Sequence, residues 1–448
     1  MKRSLVHSRR SDTTSDWQPR PLGELIRLQK GVSYKGEFLD KPGPWLLGLG
    51  TIALGGGLML DKARTYSGPI RKRQRASPGD LILAVVGITP EGSVIGSPAL
   101  IPPNAIGEFA ITHHVAKAEI ISKDSADVRF LYYLLRNRKF ADYVRGVQYG
   151  STVPAVSIPD VLSYEAGIPP IHEQRAIARV LGSLDDKIEL NRRMNQTLEE
   201  ICRALFKFWF VDFGPVRAKA EGRWKKGESL PGCPADMWDL WPSEFEESEI
   251  GEIPRGWGVD GLGKVASCHR DLIDPSEIDP EEKYVGLEHI TPRSLSLWHW
   301  GRVGDTVSGK ARFKRGEILC GKLRPYFHKV CVPWFDGVAS TDILTIAPKS
   351  SDWFGFALGH FSSAALVDYA TAASNGTKMP RTSWEDLARW QVAMPPVEIA
   401  RTLTTVFLPL VSKMGKAIEE STLLGETRDT LLPKLLSGEI RVSQVEAP

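Results

Sequence analysis

The chain has 448 residues, with 57 lysines and arginines against 54 aspartates and glutamates and a formal net charge of +3. That length is too great for one core and implies two or three domains, while a 42% hydrophobic and 25% charged composition is ordinary for a globular protein. Five cysteines, an odd number without a CxxC pair, indicate neither a disulfide framework nor a zinc site, and no stretch approaches the ~20 apolar residues of a membrane span, so a soluble cytoplasmic protein is expected.

Residues 1–15 read as a basic polar tail without the apolar run of a signal peptide. From 16 to 170, short apolar runs broken by glycine and proline (PWLLGLGTIALGGGLM, GDLILAVVG, AITHHVAKAEII) predict a sheet-rich body. At FLYYLLRNRKFADYVR the period becomes helical. A glycine loop at Gly150-Ser151-Thr152 and a short helix then lead to Pro169-Pro170.

Residues 171–213 predict one long amphipathic helix. Ile177, Leu181, Leu184, Ile188, Asn191, Asn195, Leu198, Cys202, Leu205 and Trp209 recur at alternating steps of four and three, the seam of a coiled coil. Residues 214–250, rich in Gly, Pro, Trp and acidic side chains, read as a linker packed by its tryptophans.

A second body, 251–396, repeats the programme, and a second seam helix spans 397–437 before a tail at 438–448. Leu403, Phe407, Leu410, Met414, Ala417, Ser421, Leu424, Arg428, Leu431 and Leu435 each lie 226 positions after their counterparts in the first seam. The same offset relates Gly150 to Gly376, Pro154 to Pro380, Ser157 to Ser383 and Pro169-Pro170 to Pro395-Pro396. Pro409 lies inside the second seam and predicts a kink or a late helix start there. Polar residues in both seams, Asn191 and Asn195 against Ala417 and Ser421, suit two unlike helices pairing in one register.

Catalytic signals are missing. Gly258–Val265 and Gly316–Leu323 carry the glycine and lysine spacing of a phosphate loop, but Val265 and Leu323 stand where the magnesium-binding hydroxyl is needed. No strand-loop-helix unit surrounds Gly48 to Gly57, as a dinucleotide site requires. The Pro-Pro pairs follow Ile101, Ile168 and Met394, not the Asn or Asp of an adenine methyltransferase. His113-His114 are read as structural. Basic clusters remain: Arg71, Lys72, Arg73 and Arg75 before the strand near Gly79, and Lys310, Arg312, Lys314 and Arg315 before the strand at Gly316. With Lys322, Arg324 and Tyr326 they form candidate DNA contacts, because Lys and Arg neutralise phosphates and Arg pairs bidentately with guanine. Solvated charge is the alternative for any one cluster.

Two sheet-containing bodies, each followed by a glycine loop, Pro-Pro and a seam helix, resemble the specificity subunit of a type I DNA restriction-modification system. The resemblance is carried by Gly251–Trp257 (GEIPRGW), Gly321–Tyr326 (GKLRPY), Gly150–Thr152, Pro169-Pro170 with Glu173 to Ile177 (EQRAI), and Leu435–Ile440 (LLSGEI). It implies an α/β (α+β) fold in which two similar target recognition domains with mixed sheets are separated by two long antiparallel coiled-coil helices; about 35 helical residues at ~1.5 Å each span roughly 50 Å. It further implies a non-catalytic chain that binds double-stranded DNA, two methyltransferase subunits and restriction/translocase subunits. No cofactor is expected on this chain; S-adenosylmethionine, ATP and Mg belong to the partners. Two rivals stay open at this point, a coiled-coil scaffold that does not bind DNA and a single-chain methyltransferase or nuclease.

Overall fold

The structure, a computed structural model, describes residues 17–87, 93–269, 271–305, 309–374 and 379–442. Its α-helices are α1 (Val128–Arg136), α2 (Arg138–Val147), α3 (Ile158–Leu162), α4 (Ile171–Phe206), α5 (Gly214–Ala220), α6 (Phe354–Phe361), α7 (Ala364–Ala373), α8 (Trp384–Ala388) and α9 (Val397–Ser437). The chain divides into two compact units, one built from residues up to Asp186 together with those from Leu424 onward, the other from Lys187–Leu423.

In the first unit, Ile26–Lys30, Val115–Ile120, Leu81–Ala84 and Pro98–Leu100 form an antiparallel sheet in that order. Leu81–Ala84 is an unbroken apolar run because both of its faces are covered. Leu81 and Leu83 pack with Phe130, Phe140, Ile177 and Leu435, whereas Ile82 and Ala84 pack with Leu47, Phe109 and Ile111 of a second sheet. That second sheet, in the order Arg64–Thr65, Trp45–Leu47, Phe109–Ile111, Arg75–Ala76, holds one parallel pair, Trp45–Leu47 with Phe109–Ile111.

The second unit repeats both sheets. Ala266–His269, Ile343–Pro348, Ile318–Gly321 and Val330–Cys331 reproduce the first, and Gly301–Arg302, Lys283–Val285, Gly337–Ser340 and Lys310–Phe313 the second, with its single parallel pair between Lys283–Val285 and Gly337–Ser340. An extra strand, Leu272–Ile273, is added beside Lys310–Phe313. The sequence offset persists in the helices: α6, α7, α8 and α9 start 226 residues after α1, α2, α3 and α4 (354 − 128 = 226). Ser157 and Ser383 cap α3 and α8 alike, each accepting from the amide three residues on, Asp160 and Asp386.

Every predicted seam residue is buried or half-buried. In the first unit Ile177 and Leu181 of α4 pack with Leu432, Leu435 and Leu436 of α9. In the second, Asn191 donates to Ala417 O (3.3 Å), Ser421 Oγ (3.1 Å) and Glu420 (2.8 Å), and Asn195 donates to Met414 O (3.1 Å). Partner numbers fall as residue numbers rise, so the pairing is antiparallel.

Three expectations change. Helix α9 runs unbroken through Pro409: Pro409 and Thr405, whose carbonyl loses its helical partner, are both exposed, so water satisfies the freed group. Helix α4 ends at Phe206, and a π-helical turn over Lys207–Val211 buries Trp209 and Phe210. Gly214 follows because a Cβ there would lie 2.0 Å from the Phe208 ring. The predicted linker is structured in part, with α5 and the strand Phe245–Ser248, and its Trp224 and Trp241 are fully buried in the core of the second unit.

Candidate nucleic-acid interface

In each unit three chain segments distant in sequence meet through matching backbone hydrogen bonds. In the first, Val85 N donates to His114 O (2.9 Å), Gly87 N to Pro154 O (2.7 Å) and Val156 N to Val85 O (3.0 Å). In the second, Lys322 N donates to Asp342 O (2.9 Å), Arg324 N to Pro380 O (2.8 Å) and Thr382 N to Lys322 O (3.0 Å). The loop leaving the third strand of the first sheet is thereby pinned in both units to the turn between the two sheets and to the segment after the glycine loop.

In the first unit that segment closes on itself: Tyr149 and Ala155 exchange both backbone bonds, at 2.9 and 2.8 Å, and hold Gly150, Ser151 and Thr152 out in solvent. Gly150 has φ +90°, and a Cβ would lie 2.8 Å from Val153 O, so this turn requires glycine. Tyr149 and Val153 are exposed at its base and tip. The counterpart in the second unit, Gly376 to Lys378, lies outside the described residues.

The second junction carries more charge. Arg324 adopts the left-handed conformation (φ +50°), and its Nε is buried without a partner. Pro325–Phe327 forms a tight turn that presents Tyr326 and Phe327 to solvent, their ring centroids 4.7 Å apart. His328 closes the turn, also left-handed, with Nε2 donating to Ser362 O at 3.0 Å; burial lowers its pKa and keeps the ring neutral. Arg381 pairs with Asp342 at 3.6 Å, and Lys322, half-buried, is bonded through its backbone to Asp342 and Thr382. Sequence reasoning did not reach Arg381, Tyr149 or the junction role of His113 and His114. The 226 offset, which sets Arg381 against Ala155, was the available signal.

The basic clusters divide. Arg71, Lys72 and Arg73 are exposed on a turn that Gln74 clamps, accepting from Arg71 N (2.9 Å) and donating to Gly31 O (3.3 Å). Among the described residues none of the three pairs with a carboxylate. Arg75 and Arg312 occupy the same register position, opposite Ala110 and Val338, and each is held in an ion pair, Arg75 with Glu108 at 2.5 Å and Arg312 with Glu282 at 2.9 Å. Lys314 and Arg315 are exposed on a turn braced by Glu317 and Asp336.

Lys310 corrects the expectation of a basic loop. It is fully buried within a strand, because Leu272–Ile273 covers that edge and pairs Ile273 with Lys310. Its Nζ lies 5.0 Å from the Tyr284 ring centroid, and burial lowers its pKa. It presents no charge to a ligand.

Among the described residues no group of three or more His, Cys, Asp or Glu could hold a metal, and no helix is long and apolar enough to cross a membrane.

Residues 14–200 match the family model described as type I restriction modification DNA specificity domain. The chain is 26% identical over 376 residues to the type I restriction enzyme MjaIX specificity subunit of Methanocaldococcus jannaschii, covering 80% of each chain. It is 24% identical over 477 residues to the HindI specificity subunit of Haemophilus influenzae, covering 95% of this chain and 100% of that one. The crystal structure of the type I restriction-modification S subunit from M. genitalium aligns with 96% of this chain and 98% of its own at a TM-score of 0.53 and 15% identity, a likeness of fold.

Proposed function

We propose that the chain is a specificity subunit of a type I restriction-modification system and that each of its two units reads one half of a split DNA target. The observation that carries this reading is the duplicated junction: Gly87 bonded to Pro154 and Arg324 bonded to Pro380 stand at the same place in two copies of one topology. One scaffold presenting unlike side chains twice is what two unlike half-sites demand. We assign the recognition domains to 16–170 and 251–396, and the spacer to α4 (Ile171–Phe206) with its π-helical turn and to α9 (Val397–Ser437).

In this reading Arg71, Lys72, Arg73, Lys314 and Arg315 neutralise phosphates and fix register, while Arg324 and Tyr326 face base edges, with Lys322 beside them. Arg75 and Arg312, already paired, contribute less. The chain itself is non-catalytic. It works in the cytoplasm with two methyltransferase subunits, which bind S-adenosylmethionine and methylate adenine in each half-site, and with translocase/endonuclease subunits that use ATP and Mg to cut unmodified DNA.

The test is to co-express the chain with the methyltransferase subunit encoded beside it and map methylated adenines across the host genome by single-molecule sequencing. The expected result is a motif of two short specific parts around a fixed unspecific gap. A continuous motif would restrict reading to one unit, and no methylation would remove the reading altogether.

A further inference from the structure

The first junction carries no arginine where the second carries Arg324 and Arg381: Gly87 and Ala155 stand there instead. What it does carry is a cluster of rings on the turn between the two sheets. His113 and His114 lie 3.8 Å apart by ring centroid, and the exposed Tyr34 is 6.3 Å from His113. The second unit has Thr341 and Asp342 at these positions, by the register that aligns Val115–Ile120 with Ile343–Pro348.

Both ends of this histidine pair are fixed. His113 N donates to Val32 O at 2.9 Å, and His114 O accepts from Val85 N at 2.9 Å, so the rings sit on a backbone tied to both sheets. The Nδ1 of His113 is buried without a partner, while the residue as a whole is half-exposed. A proton on Nδ1 would be an orphaned buried donor, and orphaned N–H groups are rarer in folded proteins than under-satisfied acceptors. The tautomer protonated on Nε2 is therefore favoured, which makes His113 a fixed hydrogen-bond donor directed at the surface. Burial, with His113 and Lys30 nearby, lowers the pKa of His114.

We infer that His113 is a specificity-determining residue of the first unit, donating from Nε2 to a major-groove acceptor on one base of its half-site, the N7 that both purines present. This rests on the reading of that unit as a recognition domain. Tyr34 and His114 flank the donor and limit its approach, and the unpaired Arg71, Lys72 and Arg73 of the same unit supply phosphate contacts.

The full chain, co-expressed with its methyltransferase subunit, is mapped as wild type and as His113→Ala, His113→Gln and Arg324→Ala. The expected result is that His113→Ala lowers the purine preference at one position of one half of the motif at least tenfold. His113→Gln, which keeps a donor of similar reach, should retain most of that preference, and Arg324→Ala should alter only the other half. A wild-type split motif that His113→Ala leaves unchanged overturns the inference while sparing the two-unit reading. So does a change in the same half that Arg324→Ala alters. A wild type without a split motif overturns both. If His113→Ala fails to accumulate, His113→Phe, which keeps the ring but has no donor, decides in its place: a folded variant, by thermal melt, that loses the purine preference at one position of that half supports the inference, and an unchanged motif overturns it.

Discussion

Arg428 of α9 donates from Nη1 to Oδ1 of Asp185 on α4 at 2.5 Å, across a seam that is otherwise apolar in the first unit. The other oxygen of Asp185 accepts from Tyr133 OH (2.7 Å) and Arg136 (3.2 Å) on α1. One carboxylate therefore ties both seam helices to the body, and burial raises the Tyr133 pKa so that its hydroxyl stays a donor. In the second unit Glu199 ties α4 alone to the body, accepting from Ser294 Oγ, Ser296 N and Ser296 Oγ at 2.7 to 3.0 Å.

Replacing Asp185 by Ala takes the shared carboxylate from two guanidinium groups, each about 15% exposed, leaving Arg428 with Asp429 and Arg136 with Gly55 O and Tyr132 OH, and leaves the Tyr133 hydroxyl without its acceptor. The expected cost is about 3 kcal/mol, read as a lower urea midpoint for the first unit. Asp186→Ala breaks the Arg129 pair, whose side chains are 39% and 61% exposed, and should cost under about 1 kcal/mol. Equal midpoints for the two variants would mean that the half-buried Asp185 network contributes no more than the exposed Asp186 pair.

Lys310 and Arg73 occupy the same topological position with opposite fates, one buried and one exposed. Arg73→Ala should reduce the slope of log K against log salt by about 1, the counterion release of one phosphate contact. Lys310→Met should leave that slope unchanged. A slope that falls for Lys310→Met would return the residue to the DNA-facing surface.

His360 is buried between Phe206 and Phe356, at centroid distances of 4.8 and 4.5 Å, with Nε2 unpartnered. Burial pushes its pKa down to about 3. Between that value and the ordinary 6.5 the unfolded chain binds a proton that the folded chain refuses, so stability present above pH 6.5 is lost as pH falls. From pH 7 to pH 5 the loss should be about 2 kcal/mol. His360→Phe should flatten that part of the pH profile, measured by denaturant unfolding of the second unit; an equal slope in wild type and variant would assign the acid sensitivity elsewhere.

The helical half of the fold was legible because a seam is a local pattern: Ile177 to Leu205 and Leu403 to Leu431 show their period within a single helix. Leu81–Ala84 likewise reads as a buried strand from its own four residues. Lys310 was not legible, since its burial comes from Leu272–Ile273, about forty residues earlier. Pro409 was misjudged because its cost depends on which side of α9 meets water. The junctions were invisible for a topological reason: Val85, His114 and Pro154 meet only after two sheets have formed.

Arg324 holds a left-handed backbone that strains any side chain by about 1 kcal/mol, at the place where the first unit uses Gly87. The fold does not require arginine there, and its Nε is left without a partner, so the strain is retained for what the guanidinium does outside the fold. Arg324→Gly separates the two roles. It should melt no lower than wild type, since glycine relieves the strain, while binding to the methylated motif weakens by about 1 to 3 kcal/mol and one base position of the second half relaxes, as loss of a guanine contact demands. Uniform weakening across all sequences would make Arg324 a phosphate contact. A lower melting temperature with an unchanged motif would make it structural, and the asymmetry between Gly87 and Arg324 would then say nothing about the target.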